Sequence, residues 1–196
     1  MNSYLTQLVV RMLGWLVLCM GLASCASFYD TKVDHPPAYH QPLKIDQNYA
    51  ISGRFLIKNA GKNSYGNFAW LRESGNDRLD FMSPIGATVA QIRVESGVAS
   101  LSREGKTYSG DDLEQMMQQQ LGFSFPLSYL HYWIQGRPLA NYPLQGVLNS
   151  GFSQLGWQIE YLGWQDSNHP QIVQLTKVDL KIKLLINWDT QTDSSS

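Results

Sequence analysis

The sequence predicts an α+β fold: a curved antiparallel sheet with helices against its concave face. Three observations predict it. Six short segments of alternating apolar and polar residues run from Ile51 to Gly110, joined by Gly, Asn and Ser turns. Two segments of helical spacing occupy the middle of the chain. Three or more alternating segments then close it, and strands, helices and strands in that order read as α+β.

Taken in order, residues 1–24 are expected to be removed. Arg11 precedes the apolar run "MLGWLVLCMGLA" (Met12 to Ala23), too short to span a bilayer comfortably and laid out as a secretory signal peptide. It ends in Leu22-Ala23-Ser24-Cys25, which resembles the bacterial lipobox, where the cysteine thiol is acylated and becomes the new N-terminus. Cys19 would leave with the signal, so Cys25 has no partner for an internal disulfide and its thiol needs another use. Ala26 rather than Asp follows it, which by the bacterial sorting rule favours the outer membrane. Residues 25–47, with Pro36, Pro37 and Pro42, read as the lipidated N-terminus and a flexible tether reaching roughly 25 Å. A short helix is weakly signalled from Pro42 to Gln47.

The folded domain is expected over residues 48–189. Ile51 to Lys58, Tyr65 to Arg72, Asp77 to Met82, Thr88 to Glu95, Val98 to Arg103 and Lys106 to Gly110 read as strands. "DDLEQMMQQQLG" then places Leu113, Met116, Met117 and Leu121 at helical spacing, with Asp111 and Asp112 at its start and Gly122 past its end. "PLSYLHYWIQG" offers Pro126 at a helix start, Leu127, Leu130, Trp133 and Ile134 on one face, and Gly136 as a stop. Gly156 to Trp164, Gln171 to Lys177 and Leu180 to Trp188 return to alternation; in the last, Leu180, Ile182, Leu184, Ile186 and Trp188 share one side. Residues 190–196 read as a disordered tail.

The 196 residues suit one domain with a real core. A 16% charged content with 12% aromatics points away from disorder. The net charge of −1, without a basic patch, argues against nucleic acid. After signal removal, 14 basic residues stand against 16 acidic ones. His35, His40, His131 and His169 have no metal-ligand spacing, and no second mature cysteine assists them. "GFSQLG" (Gly151 to Gly156) misses the G-x-S-x-G elbow by one residue, and no phosphate loop occurs. Asp111 and Asp112 read as helix-start residues rather than a catalytic pair. No enzyme, cofactor, metal or nucleotide is therefore expected.

Two features remain. Phe55, Phe68, Trp70, Phe81, Trp133, Trp157, Tyr161 and Trp188 sit on elements that can share one interior, either as an ordinary core or as the wall of an apolar cavity. Met116 and Met117 suit such a cavity, because unbranched thioethers adapt to irregular ligands. "SPIGAT" is the other: Ser83, Pro84 and Gly86 make good turn corners and leave the apolar Ile85 at the third.

The segments "GRF", "GNFAW", "SPIGAT", "LGFSFPLSYLHYWIQGRP", "GWQIEY" and "LKIKLLINW", in this order and spacing from about Gly53 to Trp188, resemble the LolA/LolB lipoprotein-localisation family. The chain departs from that pattern before Ile51, where "PLKIDQN" is shorter than the amphipathic helix expected. The resemblance implies an open, incomplete β-barrel of roughly 9–11 strands, with helices over its concave face and an apolar cavity for acyl chains. It implies an outer-membrane receptor, anchored at Cys25 in the inner leaflet and facing the periplasm. This receptor would take lipoproteins from the periplasmic carrier LolA as a monomer, without nucleotide. Ile85, with Pro84 and Gly86, falls on the family's protruding apolar loop, tied to membrane insertion. The competing readings are a structural or assembly lipoprotein that binds a protein partner, and, behind it, a lipid-active hydrolase.

Overall fold

The computed structural model describes residues 37–189. The expected signal peptide, Cys25, His35 and the tail 190–196 lie outside the described residues. The strands are β1 (Tyr49–Asn59), β2 (Lys62–Glu73), β3 (Asn76–Met82), β4 (Thr88–Glu95), β5 (Val98–Arg103), β6 (Lys106–Gly110), β7 (Gly146–Leu148), β8 (Gly151–Gln154), β9 (Trp157–Trp164), β10 (Pro170–Lys177) and β11 (Leu180–Trp188). The helices are α1 (Leu113–Leu121) and α2 (Leu127–Trp133), between β6 and β7.

All eleven strands form one antiparallel sheet in the order β6-β5-β4-β3-β2-β1-β11-β10-β9-β8-β7. The chain ends meet in the middle, where β1 pairs with β11 and Phe55 lies opposite Leu184, Ile57 opposite Ile182. The two edges, β6 and β7, do not pair, so the barrel stays open. Alternation puts Ile51, Phe55 and Ile57 of β1 and Ile182, Leu184, Ile186 and Trp188 of β11 on the buried face.

The close approach of β2 to β3 has a visible cause. At Gly66 an added Cβ would lie 2.1 Å from the Met82 carbonyl oxygen and 3.1 Å from the Phe55 ring. A glycine inside a strand lets neighbouring backbone approach that closely. Five two-residue turns carry Gly at their second corner with positive φ at both corners: Ala60-Gly61, Ser74-Gly75, Ser96-Gly97, Glu104-Gly105 and Leu155-Gly156. This geometry matches the twist of the flanking strands. The sixth, at Val178-Asp179, has no glycine and holds Val178 at φ +52°.

The helices begin and end where the caps dictate. The Asp112 carboxylate accepts the Gln115 amide at 2.8 Å, satisfying one orphan donor of α1, and Gly122 at φ +81° closes the helix. Pro126 starts α2, whose Leu127, Leu130 and Trp133 are buried.

Three features differ from the sequence reading. Strands β7 and β8, at three and four residues, are too short for alternation to register. No helix forms at Pro42 to Gln47; the segment is irregular. The described part of the expected tether is also laid against the domain rather than running free. Tyr39 donates its amide to Asn149 at 2.7 Å and its hydroxyl to Gly136 at 3.0 Å, and its ring stacks on Tyr161. Pro42 accepts from Arg137, and the Asp46 amide donates to Gln135 at 2.6 Å. Aromatic and hydrogen-bonding partners far along the chain outweigh the coil entropy that a local reading assigns to such a segment.

Candidate functional site

An apolar pocket lies over the central strands of the sheet. Its walls are Phe55 and Ile57 of β1, Phe68 and Trp70 of β2, Leu79 and Phe81 of β3, and Ile182 and Leu184 of β11. Phe125 and Leu130, just before and within α2, form its roof. The Trp70 indole nitrogen is the lone side-chain polar atom among these residue types, and it donates to Asp77 at 2.9 Å. Phe55 and Phe81 meet edge-to-face at 5.4 Å, a favoured aromatic geometry. The free space in the pocket is about 20 Å³, room for about one water, whereas ligand pockets run from about 300 to 1,000 Å³. The walls are therefore chemically suited to hydrocarbon, and the space is closed.

Of the ten cavity candidates, Phe55, Phe68, Trp70 and Phe81 converge on this pocket. The other six do not. Trp133, Trp157 and Tyr161 are buried in another part of the same core, towards β8 and β9, with Trp133 and Trp157 6.1 Å apart. Trp188 donates to the Pro170 carbonyl at 2.7 Å and meets Tyr49 edge-on. Met117 is fully buried and Met116 half-buried on α1, neither at the pocket wall. Alternation marks which strand residues face inward; which of them meet depends on sheet curvature, which has no local signal. Leu130, Ile182 and Leu184 lie on the apolar faces that the sequence marks, whereas Ile57, Leu79 and Phe125 are not singled out by it.

The part towards β8 and β9 is polar at its centre. Gln154, fully buried, donates to the Leu139 and Tyr142 carbonyls at 3.0 and 2.8 Å. Its carbonyl oxygen accepts from the Trp133 indole at 3.1 Å and the Leu139 amide at 2.9 Å. Tyr161 donates its hydroxyl to the Trp133 carbonyl at 2.7 Å, and burial pushes its pKa well up. Beside it, Gln135 ties α2 to the Asp46 backbone, and His131 stacks on Tyr49. Burial, then the nearby Arg72 charge, lower the His131 pKa to about 4 against a raising effect of Asp77, so the ring is neutral near pH 7.

Ile85 stands apart from both. It is 93% exposed at the tip of the β3–β4 loop. The Gly86 amide donates to Ser83 O at 2.9 Å, closing the turn, and the Ser83 amide donates to Ala87 O at 2.8 Å. The Ser83 hydroxyl and the Asn67 amide group add further bonds to the loop. Gly86 supplies φ +90° after the loop's apolar corner. The loop is thus a rigid mount for an exposed isoleucine, built as the Ser-Pro-x-Gly spacing predicts.

A larger cleft of about 560 Å³ opens at the other end of the sheet, lined among others by Arg72, Asp77, Asp111, Asp112 and Glu114. Hydrocarbon would desolvate those carboxylates, so it does not suit acyl chains. Arg72 and Asp77 pair there at 2.5 Å. Asp111 and Asp112 thus sit at a helix start and cleft rim. Among the described residues, no group of three or more His, Cys, Asp or Glu side chains is placed to hold a metal. His169 contacts Asp166 and Asp46, and His40 stacks on Trp164.

An open antiparallel barrel, roofed by helices over an apolar interior and carrying a rigid apolar loop in solvent, defines the class. The family model for outer membrane lipoprotein LolB matches residues 47–188. The chain belongs to the LolB family. It is similar to the outer-membrane lipoprotein LolB of Chromobacterium violaceum, 30% identical over 92% of this chain and 99% of the relative. It is similar also to the LolB of Neisseria meningitidis serogroup A, 28% identical over 74% of this chain and 75% of the relative. The LolB of Shewanella woodyi is 27% identical over 94% of this chain and 90% of the relative.

Proposed function

We propose that this protein is an outer-membrane receptor that accepts lipoproteins from the carrier LolA, holds their acyl chains at the apolar pocket, and inserts them into the membrane. The observation that carries this reading is the pocket wall of Phe55, Phe68, Trp70 and Phe81, roofed by Phe125 and Leu130. Burying a methylene is worth about 0.8 kcal/mol, so a 16-carbon chain needs roughly 12 kcal/mol of shelter outside a membrane. Apolar packing is non-directional, so the Phe125 and Leu130 side chains can swing off the sheet without orphaning a polar group, while α2 stays tied through Trp133. The acyl chain then takes the place of the roof against the sheet. Acylated Cys25 and the segment after it hold the domain at the inner leaflet, facing the periplasm. Ile85, between Pro84 and Gly86, enters the headgroup region and eases the exit of the chains.

Transfer runs downhill, since each factor of ten in affinity over the carrier takes about 1.4 kcal/mol. No nucleotide and no catalytic residue takes part. The test uses the mature chain with Cys25→Ala, mixed with LolA loaded with a lipoprotein, and follows the cargo by pull-down. Cargo is expected to move without nucleotide. Cargo that stays on a competent carrier overturns the receptor reading.

A second reading, a structural lipoprotein that binds a protein partner, draws on the small free space of about 20 Å³. The readings part on an apolar fluorescent dye. The receptor takes it up as the roof opens, and a solid structural domain does not.

A further inference from the structure

Antiparallel pairing places the β1–β2, β3–β4, β5–β6, β8–β9 and β10–β11 turns at one end of the sheet, and the β2–β3, β4–β5 and β9–β10 connections at the other. The two ends differ in charge. The first carries Lys62, Arg103, Lys106 and Lys177 in its turns, against Glu104 and Asp179, with Glu104 3.2 Å from Arg103. The second carries Glu73, Glu95 and Asp166, with Asp111 and Asp112 beside them where β6 leads into α1, and its arginines Arg72, Arg78 and Arg93 are salt-bridged to Asp77, Asp80 and Glu95. The chain's near-zero net charge hides this separation.

Three features of the basic end oppose local stability. Lys58 and Lys181 are directly opposite in the β1–β11 ladder, where like charges repel. Val178, a β-branched residue, occupies φ +52° in a turn where a glycine would be at ease. Ile85 and Val178 are 93% and 90% exposed. Strain held at an exposed tip is characteristic of functional surfaces. From β3 to β11 is three strand spacings, about 14 Å along the sheet, so both apolar tips fit one contact surface. Leu43 is equally exposed, but it belongs to the segment docked near Trp164 at the acidic end.

We propose that this rim is a docking surface for an anionic phospholipid bilayer. Val178 is a second apolar contact beside Ile85, and Lys62, Lys106, Lys177 and Lys181 are the cationic contacts. All four lysines are exposed, and among the described residues none is salt-bridged, although the Lys177 ammonium lies 5.6 Å from the Trp157 ring centre. A lysine near an anionic membrane strengthens binding about fivefold, and apolar side chains add depth without charge. The acidic end is repelled by the same surface, so the two ends together orient the domain. The proposal rests on the receptor reading for Ile85 and extends it to lipid charge and to a second tip.

The test is vesicle flotation of the mature chain with Cys25→Ala, which has no anchor. Vesicles are phosphatidylcholine alone or phosphatidylcholine mixed with phosphatidylglycerol. Stronger binding to the mixed vesicles is expected, weakening as salt rises. Changing Lys62, Lys106, Lys177 and Lys181 together to Gln should cut binding to mixed vesicles at least tenfold and leave phosphatidylcholine binding as it was. Val178→Asn, which tolerates positive φ, should keep or raise the unfolding temperature while lowering binding to both vesicle types. Unchanged binding in the lysine variant, with Ile85→Glu still blocking delivery, overturns the rim proposal and leaves the receptor reading intact. A lysine variant that binds vesicles normally but no longer accepts cargo makes the rim a protein-docking face, and also overturns it.

Discussion

The interior has two halves that are buried alike and held differently. Around Gln154, Tyr161 and Gln135, buried polar groups meet specific partners at 2.6–3.1 Å. Around Phe55, Phe81 and Phe125, hydrocarbon meets hydrocarbon. The first arrangement is brittle, because moving any member leaves a desolvated donor or acceptor. The second tolerates displacement, because dispersion attraction is much the same whichever hydrocarbon group supplies the neighbouring atoms. The receptor reading asks for a domain that opens on one side and stays folded, which uses both, and α2 joins them: Leu130 roofs the pocket, while Trp133 is hydrogen-bonded to Gln154.

The severest way to break the polar half is Gln154→Leu. It strands the Trp133 indole, the Leu139 amide and two carbonyls. About 4 kcal/mol of stability should disappear in urea unfolding, at 1–3 kcal/mol per orphaned group with partial relaxation. Dye uptake should not rise. A loss below about 1 kcal/mol would mean the network is dispensable. Phe125→Ala acts on the other half. It should cost about 3 kcal/mol and yet raise uptake of an apolar dye, because it thins the roof. The same penalty with no gain in uptake would sink the idea that this side opens.

Acidity should act on the polar half alone. His131 faces Arg72, Asp77 and Tyr49, and its folded pKa of about 4 lies below the ordinary value of 6.5. The unfolded chain therefore binds a proton between these values that the folded chain refuses, and stability falls as pH drops from about 6.5 to 4. His131→Leu should flatten that segment of a stability–pH profile; an unaltered slope would assign the dependence elsewhere. Tyr39→Phe removes the hydroxyl bond to Gly136 and should cost about 1 kcal/mol, with faster amide exchange in residues 39–47. Ile85→Glu lies outside both halves. Its effect on unfolding should stay within about 0.5 kcal/mol, with cargo acceptance normal and delivery to vesicles abolished. Failure of acceptance would place Ile85 at the carrier interface instead.

Local information fell short at identifiable places. The bounds of β4, β5, β6 and β11 follow from alternation, because one face of each is the less exposed along its length. Helix α1 is legible at both ends through Asp112 and Gly122. The Ile85 turn is equally local, since the Ser83–Gly86 bond closes it, with Asn67 of β2 adding a bond from outside. The docking of Tyr39 onto Tyr161 and Gly136 is not legible, because its partners are about a hundred residues away in the chain. Gln154 is not legible either, since an isolated glutamine in a short strand looks like a surface residue.

By itself, then, the sequence determined nine of the eleven strands, both helices, the inward faces, the apolar turn and, through ordered segments, the family. These depend on periods of two to four residues and on turn stereochemistry, which act over a few bonds. Tertiary structure alone decided that four of ten candidate side chains share a pocket, that the pocket is shut, and that lysines from separate hairpins gather on one rim. Those outcomes depend on strand order and on how distant strands pack, which sum over the whole sheet and leave no mark on any one segment.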